Sequence, residues 1–153
     1  MTWRITYRDR VSYMEAAAGR PAMLVELRTG VGSITIPVGL DSGTQYTLVN
    51  GEQLAGIGFD PPMDARPDTH PDCISFGGLA GGGLLGYRFD VELRIVEASI
   101  VQNCQIFGSL RPIPRSVLGR DFFSRLLIGF HDAGEMVYLD SQHDRRAPPI
   151  EKV

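Results

Sequence analysis

Hydrophobic and polar residues alternate along much of the chain, which is typical of strands with one buried face. The alternation is clearest over residues 84–95 (LLGYRFDVELRI), where Arg, Asp and Glu separate apolar side chains. Residues 22–28 (AMLVELR) and 33–40 (SITIPVGL) are predicted to be two strands of a hairpin, joined by a turn over residues 29–32. Shorter strands are predicted at residues 3–7, 47–49, 99–107, 127–130 and 136–139.

Two segments do not follow the strand pattern. Residues 50–72 form a long polar connection with four prolines, and its large apolar residues are expected to pack beneath the sheet: Leu54, Ile57 and Phe59. Residues 120–126 (RDFFSRL) fit a short helix whose apolar face consists of Phe122, Phe123 and Leu126. We divide the chain into an N-terminal strand and extension (1–21), a central domain (22–139) and a polar tail (140–153).

Composition narrows the class of protein. The chain has 153 residues, of which 18 are Gly and 10 are Pro, and short alternating segments between such residues indicate an all-β domain. The net charge of −3 argues against a nucleic acid or an anionic membrane as partner. No apolar run reaches the length of a membrane span, and the first residues lack the apolar core of a signal peptide, so we expect a cytoplasmic protein.

Cysteine and histidine residues give no sign of a cofactor. Cys73 and Cys104 are far apart in sequence, and in a protein without a leader they are expected to be reduced thiols. The three histidines are scattered, with no second ligand at a spacing known from metal sites. We therefore expect no metal and no other cofactor.

A glycine cluster lies between two strand-like segments. Gly81, Gly83 and Gly86 match the spacing of the dinucleotide fingerprint, but a strand and not a helix is predicted after them, so we reject nucleotide binding. A second interpretation is a hairpin tip over residues 77–83 that can move. Its exposed backbone N–H groups would bind an extended chain laid beneath it.

Three stretches in order resemble the retropepsin-like (retroviral-type) aspartic proteases. An apolar strand ends in Asp41-Ser42-Gly43-Thr44, the glycine-rich hairpin GGLAGGG follows, and the third stretch is VLGRDFFSRLLIGF. The resemblance covers roughly residues 22–139. It implies a small closed β-barrel of the acid-protease type, with a flap hairpin, one short C-terminal helix and one lobe per chain.

The resemblance also implies a function. Pepsin-like enzymes carry two Asp-Ser/Thr-Gly triplets in one chain, whereas this chain carries one, so a homodimer is expected to supply the second. The two Asp41 carboxylates, one from each subunit, would share a proton and activate a water that hydrolyses a peptide bond, with highest activity at acidic pH. Ser42 would brace the two loops across the dimer axis, and Gly43 would permit the tight turn.

Further residues take roles from the same resemblance. The expected contacts to an extended peptide substrate are Thr44, Gln45, Ile74, Gly77, Gly78, Leu79, Ala80, Gly81 and Leu84, and Thr44 is also expected to hydrogen-bond a catalytic carboxylate. Gly119 and Arg120 would be structural. In the retroviral enzymes an Asp at the position of Gln45 pairs with the Arg of the Gly-Arg stretch, so Arg120 here lacks that carboxylate partner.

Two alternatives stay open at this point. The first is a catalytically silent module that keeps the retropepsin fold for binding or dimerisation. The second is an unrelated β-barrel in which Asp41 is only a turn residue and the glycines form a loop. The intact triplet and glycine-rich hairpin favour the enzyme, because a binding module need not retain them.

Overall fold

The computed structural model describes residues 2–77, 83–141 and 150–152. The strands within these ranges are β1 (Trp3–Ile5), β2 (Asp9–Ser12), β3 (Ala22–Arg28), β4 (Ser33–Leu40), β5 (Leu48–Val49), β6 (Cys73–Phe76), β7 (Leu84–Ile95), β8 (Val101–Ser109), β9 (Val117–Leu118), β10 (Leu126–His131), β11 (Met136–Ser141) and β12 (Ile150–Lys152). Two short helices are α1 (Gly51–Leu54) and α2 (Arg120–Phe123), and single 3₁₀ turns lie at Glu15–Ala17, Ala55–Ile57 and Asp132–Gly134.

The main sheet closes on itself. Its strand order is β3-β4-β9-β5-β8-β7-β6, and β3 also pairs with β7, which completes a ring of hydrogen-bonded strands. The pairings are mostly antiparallel, but β4 runs parallel to β9 and β5 runs parallel to β8. The all-β class and the closed barrel predicted from the sequence are confirmed.

The core lies inside this ring because strand side chains alternate between two faces. On β3, Met23, Val25 and Leu27 are buried, and Val25 pairs with Ile36 on one side and with Ile95 on the other. Fully burying each such side chain contributes about 1.5–3 kcal/mol. The β3–β4 hairpin has the bounds that the sequence predicted, 22–28 and 33–40.

Both ends of the chain pair with strands distant in sequence. β2 joins β10 and β11 in a three-stranded sheet, where Val11 pairs with Val137 and both are buried. β1 pairs with β12 in a separate antiparallel ribbon. The strand predicted over residues 3–7 is present but ends at Ile5, and β2, which was not predicted, follows it with different partners.

Two segments differ in detail between the sequence prediction and the structure. The connection over residues 50–72 begins with a helix, α1, whose N-terminus is capped by the Asn50 side chain, although its residues Leu54, Ile57 and Phe59 are buried as expected. The predicted helix over residues 120–126 ends at Phe123. Leu126 is buried as the first residue of β10 and not as part of the helix.

The glycine-rich hairpin has two paired arms. β6 and β7 are antiparallel, with Ile74 opposite Gly86 and Phe76 opposite Leu84. The strand predicted after the glycines is therefore confirmed, and the dinucleotide interpretation is ruled out at that point. The tip residues Gly78, Leu79, Ala80 and Gly81, expected to bind substrate, lie outside the described residues.

None of the helices described is long and apolar enough to cross a membrane. Within the same ranges, the side chains of His, Cys, Asp and Glu form no group of three that would hold a metal ion. Both cysteines are free thiols, Cys73 buried and Cys104 half-buried.

Candidate active site

Asp41 follows directly after β4, at the beginning of a loop over residues 41–47 that is mostly exposed, here called the Asp41 loop. β4 runs parallel to β9, and the Asp41 N–H continues this pairing by donating to the Leu118 carbonyl at 3.0 Å. A buried strand thus carries the carboxylate to the surface at a fixed position. This geometry explains why a lone aspartate ends an apolar segment.

The Asp41 carboxylate is held by its own loop. Oδ1 accepts the Gly43 N–H at 2.9 Å, and Oδ2 accepts the Thr44 hydroxyl at 2.9 Å. The Thr44 hydrogen bond was expected from the sequence and is present. The carboxylate remains exposed, and because each oxygen has a second lone pair, it can accept further hydrogen bonds from a water or substrate.

The two other residues of the triplet are also exposed. A Cβ at Gly43 would lie 3.1 Å from Oδ1 of Asp41, so a side chain there would crowd the carboxylate. Glycine leaves this space free, whereas a side chain would require the carboxylate to shift by a few tenths of an ångström. The Ser42 hydroxyl makes no hydrogen bond to the residues that the structure describes, which leaves it available for the predicted brace.

A second segment, residues 117–121, packs against the Asp41 loop and hydrogen-bonds to it, and we call it the Gly119 turn. The Arg120 N–H donates to the Thr44 carbonyl at 2.8 Å, and the Asp121 N–H donates to the Gln45 carbonyl at 3.1 Å. A Cβ at Gly119 would come within 2.6 Å of the Tyr46 carbonyl group. Only glycine allows the two backbones to approach this closely.

Asp121 is the central side chain of this contact. Its carboxylate accepts the Thr47 N–H at 3.0 Å, the Thr47 hydroxyl at 2.8 Å and the Phe122 N–H at 2.8 Å. Thr47 is buried, and its hydroxyl accepts the Gly119 N–H at 3.1 Å. The sequence pattern did not single out Asp121 and missed this network, because Thr47 is 74 residues away.

The side chains of Gln45 and Arg120 do not pair. Gln45 Nε2 lies 3.4 Å from the Tyr46 hydroxyl, and within the described ranges the Arg120 guanidinium makes no ion pair or hydrogen bond. The viral Asp–Arg bridge is thus not replaced by a Gln–Arg hydrogen bond. Backbone hydrogen bonds and Asp121 hold the two segments together instead.

An aromatic cluster connects the hairpin to the Asp41 loop. The Tyr46 ring lies 5.2 Å from the Phe107 ring and 6.4 Å from the Phe76 ring, and Phe76 lies 5.7 Å from Phe107. These edge-to-face contacts place the end of the β6 arm against the loop that carries Asp41. The alternating pattern gave no signal for this cluster, because each of its rings comes from a different segment.

Asp41 is among the residues that line a groove, which we call the Asp41 groove. It has a volume of about 660 Å³ and is lined by Met14, Arg20, Pro37, Asp41, Ile113, Arg115 and neighbouring residues. A larger cavity of about 820 Å³ is lined by Ile74, Tyr46, Cys104 and Asp121, among others, and does not include Asp41. Ile74, an expected substrate contact, therefore faces the larger cavity and not the Asp41 groove.

The larger cavity offers no obvious nucleophile. Burial raises the pKa of the Cys104 thiol to about 11, so the thiol stays protonated at neutral pH. A thiolate is the form that attacks a carbonyl, and a protonated thiol cannot replace it. Cys104 is therefore not a candidate nucleophile, and the exposed Asp41 carboxylate is the candidate reactive group.

No protein-family model and no curated protein sequence matches the chain. Among solved structures, a retropepsin-like aspartic protease from Rickettsia conorii is 12% identical, with a TM-score of 0.59 over 90% of this chain and 92% of that one. The EIAV protease complexed with the inhibitor HBY-793 is 16% identical, with a TM-score of 0.45 over 69% of this chain and 86% of that one. The similarity to the Rickettsia structure shows that the chain has the retropepsin-like fold.

Proposed function

We propose that this protein is a homodimeric aspartic endopeptidase of the retropepsin-like type, with one Asp41 from each subunit in its active site. The observation that carries the proposal is the Asp41 carboxylate itself. It is exposed at the end of a buried strand, held by Gly43 and Thr44, and anchored to the Gly119 turn. The shared fold adds support, because aspartic proteases place their catalytic carboxylate on such a barrel.

The second carboxylate would come from a twofold partner. The sequence contains one Asp-Ser/Thr-Gly triplet, over residues 41–43. The β1–β12 ribbon has two outer edges that pair with no other strand in the described ranges, and an open strand edge is a surface for pairing with another chain. We propose that β1 of the extension (1–21) and β12 of the tail (140–153) contribute to the dimer contact, while the domain of residues 22–139 carries the Asp41 loop.

The mechanism follows from two carboxylates within hydrogen-bond distance. Both cannot be ionised at once, so they share one proton, and one acts as base while the other acts as acid. The base takes a proton from a water held between them, the water attacks the scissile carbonyl carbon, and the acid protonates the carbonyl oxygen. The intermediate then collapses with protonation of the leaving amine, and no covalent enzyme intermediate forms.

The substrate is proposed to be an extended peptide or an unfolded protein segment. Such a chain would lie between the Asp41 loop and the glycine-rich hairpin, where exposed backbone groups bond it as in strand addition. Neither a nucleic acid nor a membrane is part of the proposal, and we expect the enzyme to act in the cytoplasm.

The test is cleavage of an unfolded protein mixture between about pH 3 and pH 7, the range in which carboxylate dyads titrate. Asp41→Asn is compared with Asp60→Asn, a matched change at an exposed aspartate outside the site, and each protein's mass is determined by light scattering. We expect cleavage in acid that Asp41→Asn abolishes and Asp60→Asn retains.

Two results would change the proposal. A confirmed dimer that cleaves nothing at any pH would favour the binding or dimerisation module. A strict monomer that still cleaves would exclude an active site shared between subunits.

A further inference from the structure

We propose that the Asp41 groove selects substrates with an acidic side chain, glutamate or aspartate, beside the scissile bond, and that Arg20 and Arg115 recognise it. This inference rests on the proposed function, because it names the substrate class of the same site. It concerns two residues that neither the strand pattern nor the triplet singled out.

The charges around the groove carry the argument. Asp41 is the acidic residue among those that line it, and Arg20 and Arg115 are the basic ones. The remaining wall includes apolar side chains such as Met14, Pro37 and Ile113. The chain as a whole has a net charge of −3, so two arginines in the same groove as the candidate catalytic carboxylate give this groove a charge opposite to that of the molecule.

Both guanidinium groups retain free donors. Arg20 donates through Nε to the Ala17 carbonyl at 3.1 Å, and no other contact of its side chain is found in the described ranges. Arg115 is exposed and makes no ion pair or hydrogen bond with the residues described there. Since each guanidinium carries five N–H donors, most of them can bind a ligand.

Three arginines elsewhere on the barrel are paired with acidic residues. Arg94 and Arg28 both contact the Glu26 carboxylate, at 3.5 and 3.2 Å, and Arg88 lies 3.7 Å from Asp72. These arginines are compensated by acidic residues of the chain itself. At Arg20 and Arg115 the described structure supplies no such carboxylate, and a substrate can supply it.

The lining of the groove suits a glutamate or aspartate side chain. Because Asp41 is one of the lining residues, a peptide whose scissile carbonyl reaches that carboxylate can place a neighbouring side chain in the groove. The aliphatic part of the side chain can pack against Pro37 and Ile113, and its carboxylate can accept hydrogen bonds from a planar guanidinium. A glutamine of the same size lacks the charge and gains much less.

The test uses fluorogenic octapeptides whose central scissile pair consists of Phe and either Glu or Gln, with the varied residue placed on each side of the scissile bond in turn. The ratio of kcat/KM for the Glu and Gln peptides is measured at pH 4 and pH 6 for the dimeric enzyme. We expect the Glu peptide to be preferred at one position by roughly twofold to fivefold for each exposed arginine involved. The preference should be larger at pH 6, because a peptide glutamate ionises near pH 4.3.

The variants decide which residues are responsible. The double variant Arg20→Gln with Arg115→Gln is expected to bring the Glu-to-Gln ratio close to one. Arg111 is an exposed arginine that, like Arg115, lies between β8 and β9, but it does not line the groove. Arg111→Gln should therefore keep the ratio of the original protein. Equal cleavage of both peptides by the original protein, or a Glu preference that survives in the double variant, overturns the inference.

A binding measurement separates this inference from the proposed function. Fluorescein-labelled Glu and Gln octapeptides are titrated with the Asp41→Asn protein, and fluorescence anisotropy gives each Kd. Tighter binding of the Glu peptide that the double arginine change abolishes supports the inference even if nothing is cleaved, in which case only the proposed function fails. Equal Kd values overturn the inference while leaving proteolysis to be judged by the cleavage assay.

Discussion

Two aspartates of the same site, Asp41 and Asp121, are used in opposite ways. Asp41 is exposed and its partners, Gly43 and Thr44, belong to its own loop. Asp121 is half-buried, and its partners join two segments that are 74 residues apart. The acceptor capacity of Asp121 is taken up by the fold, whereas Asp41 keeps capacity for a water or a substrate. The position of a carboxylate relative to its partners thus separates a candidate catalytic group from a structural one.

The largest effect should come from Asp41. We expect Asp41→Asn to lower kcat by about 10²–10⁴-fold, because the general base is lost. The melting temperature should change by less than about 2 °C, since the side chain is exposed and the amide can replace its local hydrogen bonds. Thermal unfolding and cleavage are measured at one protein concentration. A large loss of stability without a loss of cleavage would reverse the roles assigned to the two aspartates.

Asp121→Ala should show the opposite pattern. It leaves the Thr47 N–H and hydroxyl and the Phe122 N–H without their acceptor, which costs about 2–4 kcal/mol of unfolding free energy. Urea unfolding measures this cost, and Asp121→Asn, which keeps one acceptor oxygen, should lose about half as much. If both variants are as stable as the original protein, the network does not hold the loop.

Gly119→Ala tests the close approach of the two segments. The added methyl group would meet the Tyr46 backbone, and relieving this overlap should cost about 1–3 kcal/mol. Gly56→Ala is the matched control, because a Cβ at Gly56 meets nothing within 4 Å. We expect the control to change stability by less than about 0.5 kcal/mol. Equal effects for the two glycines would mean that backbone entropy, and not contact, governs both.

Thr44→Val removes the hydroxyl that Asp41 accepts and should lower kcat/KM by roughly twofold to tenfold, the range expected for one exposed hydrogen bond. Thr44→Ser retains the hydroxyl and should recover most of the activity. Kinetics at several pH values measure both variants. A Val variant with unchanged kinetics would show that Gly43 alone is enough to orient the carboxylate.

The smallest effect is expected at Glu26, a carboxylate outside the Asp41 loop and the Gly119 turn. A hydrogen bond from Arg94, together with the charges of Arg94 and Arg28, holds the pKa of Glu26 below its ordinary value. As the pH falls, Glu26 is therefore protonated in the unfolded chain at a higher pH than in the folded protein. The contribution of Glu26 to stability is present above its ordinary pKa and is lost as the pH falls through the lowered value. Glu26→Gln should make stability slightly less dependent on pH in acid. Unfolding midpoints over the acidic range measure this effect, and an unchanged dependence would attribute the acid sensitivity to other carboxylates.

Local pattern was sufficient for much of the barrel. The β3–β4 hairpin and the β7 strand were predicted because alternation and a turn lie within a few residues of one another. The helix α1 was missed although Asn50 is a good capping residue, since glycine and proline dominated that connection. Pairings such as β2 with β11 join residues more than one hundred positions apart, and no local pattern specifies them.

The contacts of the site also divide into those within a short segment and those between distant segments. Asp41, Gly43 and Thr44 are neighbours in sequence, so their contacts were accessible from a short segment. The Asp121 network, the aromatic cluster around Tyr46 and the groove arginines each combine segments from distant parts of the chain. Their side chains are of ordinary types, and only the closed barrel brings them together.

The long separation between Thr47 and Asp121 sets an order of events during synthesis. When the Asp41 loop has just left the ribosome, the segment that supports it has not yet been made. The carboxylate then belongs to an untethered loop, and the hydrogen bonds from Arg120 and Asp121 cannot form until those residues emerge. We therefore expect a growing chain to be proteolytically silent, with the ability to cleave acquired only after most of the barrel has been synthesised.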